Sequence, residues 1–296
     1  MIEFKAQLIL VILWMTGTAH AVTYYVDATR GHDAFDGLVA KARSRQRGPW
    51  RTMARVNNAM LRAGDSVYFK RGDRWTEQLI IPAGGITGRP VTIGAYGDGE
   101  RPIIDVQNKA AGVVTCFHSH VTIQELSLMN STNNALGVSC TGGCKEITIR
   151  DMEIRNAGNN GISISKGGDG VHIDGVSVYN ASNNGIHLGG SPDNKLSNVV
   201  VENCHISGTG ANDGITIHED GDNNSAGKNF VLRNNYAENC AEQGFDITTG
   251  EQVLLLNNSS ANNKQGGVVI GHSARQVTVD RHRSMDEPTT QTSAAV

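Results

Sequence analysis

Val121-Thr122-Ile123, Ile147-Thr148-Ile149, Val171-His172-Ile173, Val199-Val200-Val201, Phe230-Val231-Leu232, Val253-Leu254-Leu255 and Val277-Thr278-Val279 are recurrences of one apolar alternation, spaced 26, 24, 28, 31, 23 and 24 residues apart. A second landmark falls midway through each unit, as Gly137-Val138, Gly161-Ile162, Gly185-Ile186, Gly214-Ile215, Gly244-Phe245 and Gly267-Val268. A period in the twenties implies a solenoid, because no unit of that length can bury its own apolar face and each must stack on its neighbours. Leucine-rich repeats share the period but need a Leu-x-x-Leu-x-Leu skeleton. These units are instead Ile/Val alternations parted by Asn and Gly, which read as short strands rather than helices. They end in turns such as Asn156-Ala157-Gly158-Asn159-Asn160 and Asn180-Ala181-Ser182-Asn183-Asn184. Asn stacked at one turn position can hydrogen-bond from rung to rung, so an internal or turn-edge Asn ladder is expected.

Outward from the repeat, the chain starts with Met1 to Lys5, an apolar stretch from Leu8 to Met15 and small residues ending Ala19-His20-Ala21. That is the layout of a secretory signal over residues 1–21, cleaved before Val22. The apolar run is well short of the roughly 20 residues a membrane span needs, so a secreted or periplasmic protein is expected, with no membrane attachment after cleavage. Residues 22–110 read as an N-terminal cap and first rungs, 111–279 as the repeats and 280–296 as a polar tail. Trp50, Met53, Val56 and Met60 have helical spacing and are expected to form an N-terminal capping helix, since terminal rungs expose unpaired backbone. Thirty-five glycines, six prolines and few aromatics suit many short strands joined by tight turns. A net charge of −3 gives no basic stripe for phosphates, so no nucleic-acid partner is expected. Five cysteines cannot all pair within one chain. Cys116 and Cys140 take the same rung position on the Val114 and Val138 landmarks, which reads as stacked core thiols. Cys140 and Cys144 have a C-x3-C spacing with no second ligand pair.

Tyr24-Tyr25-Val26-Asp27, Asp33-x-x-Asp36-Gly37, Pro49-Trp50-Arg51-Thr52, the run Ala63 to Asp73 and the run Gly88 to Gly97 closely resemble the opening segment of pectate-lyase-like β-helix proteins. With the rungs, the resemblance spans residues 24 to 279. It implies an all-β, right-handed parallel β-helix and a polysaccharide substrate. The superfamily includes lyases, hydrolases, uronan C5-epimerases and non-catalytic surface proteins, and fold alone does not choose among them.

Aligned on the Gly-Ile landmark, the residues before each Gly are Asn160, Asn184, Asp213, Gln243 and Gly266. Those after each apolar landmark are Ser163, His187, Thr216, Asp246 and Val269, and two further on come Ser165, Gly189, His218, Thr248 and Gly271. Alternation points Ile164, Leu188, Ile217, Ile247 and Ile270 inward. His187, Asp213, His218 and Asp246 are thus expected on the outer surface of consecutive rungs, about 4.8 Å apart, with Glu219, Asp220 and Asp222 just beyond. Each alone reads as an ordinary turn or surface residue. Together they are the one place in the repeat where acids and imidazoles converge.

For the acidic polysaccharide that the resemblance implies, β-elimination needs a base for the proton α to the carboxylate and positive charge on the carboxylate. His218 is the expected base. Charge could come from a Ca²⁺ on Asp213, Glu219, Asp220 and Asp246, or from Arg233 or protonated His187. Glu219, Arg233, Lys264 and His272 are the expected substrate contacts. Calcium-dependent pectate lyases resemble this arrangement but carry an Arg or Lys on a neighbouring rung, where Gly266 to His272 has neither. Ile217-His218-Glu219-Asp220 resembles the epimerase motif without its Asp-Pro. Asp213 and Asp246 on adjacent rungs would also suit a hydrolase, which places two carboxylates about 5 to 9.5 Å apart, although the paired-aspartate pattern of polygalacturonases is absent. The expectation is therefore a monomeric polysaccharide-active enzyme, a lyase first, with epimerase, hydrolase and non-catalytic carbohydrate binding as alternatives and no organic cofactor.

Overall fold

The structure, a computed structural model, describes residues 20–191, 193–219, 225–271 and 273–288. The segment expected as an export signal lies outside them up to residue 19. The chain coils with three strands per turn, and these stack into parallel sheets of ten, nine and eight strands. Among the described residues, no helix is long and apolar enough to cross a membrane.

Two consecutive turns show the plan. Leu196–Glu202, His205–Ser207 and Ile215–Ile217 lie against Gly227–Arg233, Tyr236–Glu238 and Gln243–Ile247. Val199 pairs with Phe230, Val201 with Leu232, Ile206 with Ala237, Ile215 with Phe245 and Ile217 with Ile247. All ten side chains are buried, and fully burying a Val, Ile, Leu or Phe contributes roughly 1.5–3 kcal/mol. Because the pairing is in register, every apolar landmark stacks on its counterpart, and the core is one continuous column.

Asn allows the corners. Asn130, Asn156 and Asn180 take φ of 60°, 55° and 56°, and Asn203, Asn234 and Asn257 take 54°, 56° and 54°, a left-handed conformation Asn tolerates better than most residues. The expected ladders form at these corners. Asn156 Nδ2 donates to Asn130 Oδ1 at 2.9 Å, and Asn234 Nδ2 to Asn203 Oδ1 at 3.4 Å. A buried ladder runs inside them. Asn258 Oδ1 accepts from the Asn235 backbone N–H at 3.0 Å, its Nδ2 donates to the Leu232 carbonyl at 2.8 Å, and Asn235 Oδ1 accepts from Cys204 N–H at 3.0 Å.

Four expectations change. The helical spacing over residues 50–61 yields a helix only at Met53–Asn57, and a capping helix of the expected length does not form. Asn57 ends it by turning its side chain to the first rungs, accepting from Ile80 N–H and donating to the Gln78 carbonyl, each at 3.0 Å. The Gly137 landmark is one residue out of step: Leu136 pairs with Ile162, placing Gly137 opposite Ser163. Cys116 therefore pairs with Val138, not with Cys140. Cys140 is instead bonded to Cys144, while Cys116, Cys204 and Cys240 are free and buried. Finally, Arg283–Met285, within the expected polar tail, adds a strand against Ser259–Ala261.

Asn258→Ala would strand the Asn235 N–H and the Leu232 carbonyl in the core. Each such group costs about 1–3 kcal/mol, so urea unfolding should show a loss of about 2–4 kcal/mol. A loss below about 1 kcal/mol would mean that the ladder is incidental.

Candidate functional site

The site is built on the eight-stranded sheet, whose outward column runs Ser163, His187, Thr216, Asp246 and Val269. Inward from it, Ile164, Leu188, Ile217 and Ile247 are fully buried, as the alternation requires, while Ile270 is half-buried. Outward placement does not mean exposure here. His187, His218 and Asp246 are half-buried, and Asp213, Thr216 and Glu219 are buried at 4%, 2% and 2% exposure.

Asp213 occupies a ladder position. Asn160 N–H donates to Asn134 Oδ1 at 3.2 Å, Asn184 N–H to Asn160 Oδ1 at 3.1 Å, and Asp213 N–H to Asn184 Oδ1 at 3.1 Å. Asp213 Oδ1 continues the series by accepting from Gln243 N–H at 2.9 Å. A carboxyl thus stands where earlier rungs carry an amide. Burial pushes its pKa up to about 7, helped by the charge of Asp246 and, less, of Glu242, against the lowering effect of the Gln243 N–H. Asp246 is held by Thr248, whose hydroxyl donates to its Oδ1. A half-protonated carboxyl beside a second carboxylate is an arrangement for giving and taking protons near neutrality.

The His187 ring and the His218 backbone border Gly189. A methyl group there would come within 2.7 Å of His187 Cε1 and 3.2 Å of the His218 carbonyl oxygen, so the ring of His187 occupies the space a side chain would fill. His218 N–H donates to the Leu188 carbonyl at 3.2 Å, which ties the two rungs together.

Other expected members are placed elsewhere. Glu219 turns beneath its loop, where Oε2 accepts from Lys195 Nζ at 2.8 Å and its backbone N–H donates to Thr249 Oγ1 at 3.1 Å. Its Oε1 is buried without a hydrogen-bond partner. Arg233 is on the ten-stranded sheet, bound through Nε to Glu202 Oε2 at 2.6 Å, because it follows the inward Leu232 of that sheet. Lys264 is exposed at the corner before the strand Gly266–Ile270. Asp220, Asp222 and His272 lie outside the described residues. Asp33 clamps the backbone N–H groups of Arg51 and Thr52 at 2.9 and 3.0 Å, a turn-fixing role.

Of the four expected calcium donors, Asp213 and Asp246 stand on adjacent rungs, Glu219 is paired with Lys195, and Asp220 lies outside the described residues. Among the described residues, ligand atoms within 4.8 Å of one another gather instead at His172, Asp174 and Glu202, on the ten-stranded sheet. There the Arg233 guanidinium already neutralises Glu202. Sequence reasoning missed Lys195, which lies between landmarks at no repeating position, and Thr248, whose column was read without its partner.

On the same sheet, toward the N-terminal end, a groove of about 210 Å³ is lined by Gln78, Thr115, Gly137, Ser139, Ser163 and Ser165. Small polar side chains thus form a trough leading along the rungs to His187.

These features define a parallel β-solenoid with a cluster of partly buried acids on one sheet. The chain belongs to the right-handed β-helix region family, whose model matches residues 111–283. No curated protein matches it. Among solved structures it is similar to the GH136 lacto-N-biosidase from Eubacterium ramulus, with a TM-score of 0.67 and 17% identity, covering 83% of this chain and 57% of that one. This chain therefore spans little more than half of that enzyme's length. Pectate lyase Pel9A matches with a TM-score of 0.63 and 15% identity, covering 95% of this chain and 82% of that one. An alginate lyase from Paenibacillus sp. str. FPU-7 gives 0.57 and 16%, covering 79% and 96%. At such identities the likeness establishes the fold.

Asp213 carries a sign that can be measured. Its folded pKa of about 7 lies above the ordinary 3.8, so its contribution to stability is full below about pH 4 and is lost as pH rises through 7. At about 1.4 kcal/mol per unit, the cost at pH 8 is of the order of a few kcal/mol. Asp213→Asn, which extends the amide ladder, should raise the melting temperature at pH 8 and change it little at pH 4. Equal shifts at both pH values would show that Asp213 is ionised throughout.

Proposed function

We propose that this protein is an exported carbohydrate-active enzyme that cleaves glycosidic bonds in a polysaccharide laid along the eight-stranded sheet. Asp213 is the proton-donating acid and Asp246 its ionised partner. The observation that carries this reading is the raised pKa of Asp213 beside the charge of Asp246. A buried carboxyl that keeps its proton toward neutrality can serve as an acid, with the carboxyl on the adjacent rung as base or nucleophile. The trough of Gln78, Thr115, Gly137 and serines gives the chain of sugars a path to the pair.

Hydrolysis accounts for the site better than elimination does. A uronate would bring its own charge against Asp246, and two of the cations expected to offset it are engaged elsewhere. Arg233 holds Glu202 on another sheet and Lys195 holds Glu219. Elimination on an acidic polysaccharide is the second reading, favoured by one observation: His187 and His218 stand on adjacent rungs joined by the His218 N–H to Leu188 carbonyl bond, and both are half-buried. In either case the protein acts outside the cytoplasm, as a monomer, without an organic cofactor.

Two assays on the same digests separate the readings. Reducing ends released from neutral and uronate polysaccharides, with no absorbance near 235 nm, are expected for hydrolysis. Asp213→Asn and Asp246→Asn should each lower kcat by about 10²–10⁴-fold, while His218→Ala should keep most of the activity. A rise near 235 nm that His218→Ala abolishes would establish elimination instead. No product from any polymer would overturn the enzymatic reading.

A further inference from the structure

The groove at the N-terminal end of the eight-stranded sheet exists because one side chain is missing. Gly137 stands on the outward face between Thr115 and Ser163, its partners on the strands either side. A methyl group built on it would meet nothing within 4 Å, and its backbone is not left-handed, so neither packing nor φ requires glycine there. Glycine weakens a strand interior and marks places where another molecule approaches the backbone closely. The space it leaves, about 210 Å³, is that of a single subsite, since whole ligand sites run roughly 300–1,000 Å³.

The walls carry polar groups and no charge: none of the described residues lining the groove is Asp, Glu, Lys, Arg or His. Thr115 Oγ1 already accepts from Gln78 Nε2 at 2.9 Å. Among the described residues, the hydroxyls of Ser139, Ser163 and Ser165 take no protein partner. Ser163 is 6% exposed, yet its hydroxyl still opens to the groove. Polar groups on residues so buried are normally paired, so this hydroxyl is completed by what enters from solvent. One rung nearer the N-terminal end, Phe117 follows Cys116, whose carbonyl accepts from Ser139 N–H at 3.0 Å. Phe117 is 55% exposed, and Ile80, outward on the strand beyond, is 42% exposed, whereas Phe69, Phe230 and Phe245 are fully buried. An exposed ring beside hydroxyls suits a pyranose, which carries C–H groups on its faces and hydroxyls on its rim.

We infer that the groove over Gly137 is a remote subsite for an uncharged glycan, holding one pyranose above Gly137 with Ser163 bonding its hydroxyls and Phe117 flanking the next unit. The inference rests on the reading of this sheet as the glycan-binding face, and adds the substrate class and the length the substrate needs. A polyuronate would set a carboxylate in the groove with no cation there to meet it, and an unpaired charge is costly to bury. Gly137, Ser163, His187 and Thr216 are successive partners, so three rungs of about 4.8 Å each separate Gly137 from the rung of Asp213. One rung is close to the length of one pyranose, and about four units therefore bridge the subsite and the acids.

The test is calorimetric titration of the full chain at low salt with cellotetraose, xylotetraose, cellobiose and tetragalacturonate, with products scored afterwards. At least one neutral tetramer is expected to bind about tenfold or more tighter than tetragalacturonate and cellobiose do. Gly137→Leu should weaken that tetramer about tenfold or more by filling the groove, with an unchanged or higher melting temperature because the new side chain meets open space. Misfolding cannot produce that combination. Ser163→Ala and Phe117→Ala should each weaken it about fivefold. Tetragalacturonate bound as tightly as the neutral tetramers, no binding of either neutral tetramer, or wild-type affinity in both Gly137→Leu and Ser163→Ala would each overturn the inference. A neutral tetramer that binds through Gly137 and Ser163 but yields no product would leave this subsite standing and overturn the cleavage reading. Tetramer cleaved by Gly137→Leu at the wild-type KM would do the reverse.

Discussion

Parallel pairing between rungs fixes everything else in this molecule. Each backbone N–H and carbonyl of a strand is satisfied by the turns above and below, so a residue's environment is set by its counterparts one turn away. Val199, Phe230 and Val253 share one inward column, and Ser163, His187, Thr216 and Asp246 share one outward column. A side chain can change on the outer face at almost no structural cost, whereas a shift of one residue would turn the core inside out. The acid cluster is such a change, concentrated on consecutive turns.

The Asn ladders show how the same constraint handles the corners. A left-handed corner repeated at every turn brings like side chains over one another, and amides are the group that can both donate to the turn below and accept from the turn above. Asp213 keeps the accepting half of that role through Gln243 and lacks the donating half unless protonated. Its environment therefore favours the neutral acid for structural reasons, and the chemistry proposed for it uses a state that the ladder already prefers. Above neutral pH, ionisation of this residue costs stability and removes the proton-donating form together.

Much of this was legible in the sequence. The strand columns follow from the landmark spacing, and Gly161, Gly185, Gly214, Gly244 and Gly267 fall in step as the spacing predicts. Gly137 misled because a glycine marks a place where a side chain is absent, and the true landmark in that turn is Leu136. Inside-outside alternation put Asp213 and Glu219 on the surface; it cannot see the rung-to-rung bonds of Asp213 or the Lys195 pairing of Glu219, and both are buried. Arg233 was assigned to the cluster by proximity in sequence, but each turn distributes neighbouring segments over three different sheets. Pairings that depend on loop geometry, such as Lys195 with Glu219 and Cys140 with Cys144, leave no periodic trace.

The corner between the third strand of one turn and the first strand of the next varies in length from turn to turn. It holds residues 165–167 in one turn and 248–249 in another, but 189–195 and 218–226 beside the two histidines. Those two longer corners account for the 28- and 31-residue spacings, and the rungs above and below keep their register regardless. Walls around the cluster can thus lengthen, shorten or be exchanged while the column stays in place. Related chains should differ most in what they accept at this corner, and least in how they stand up.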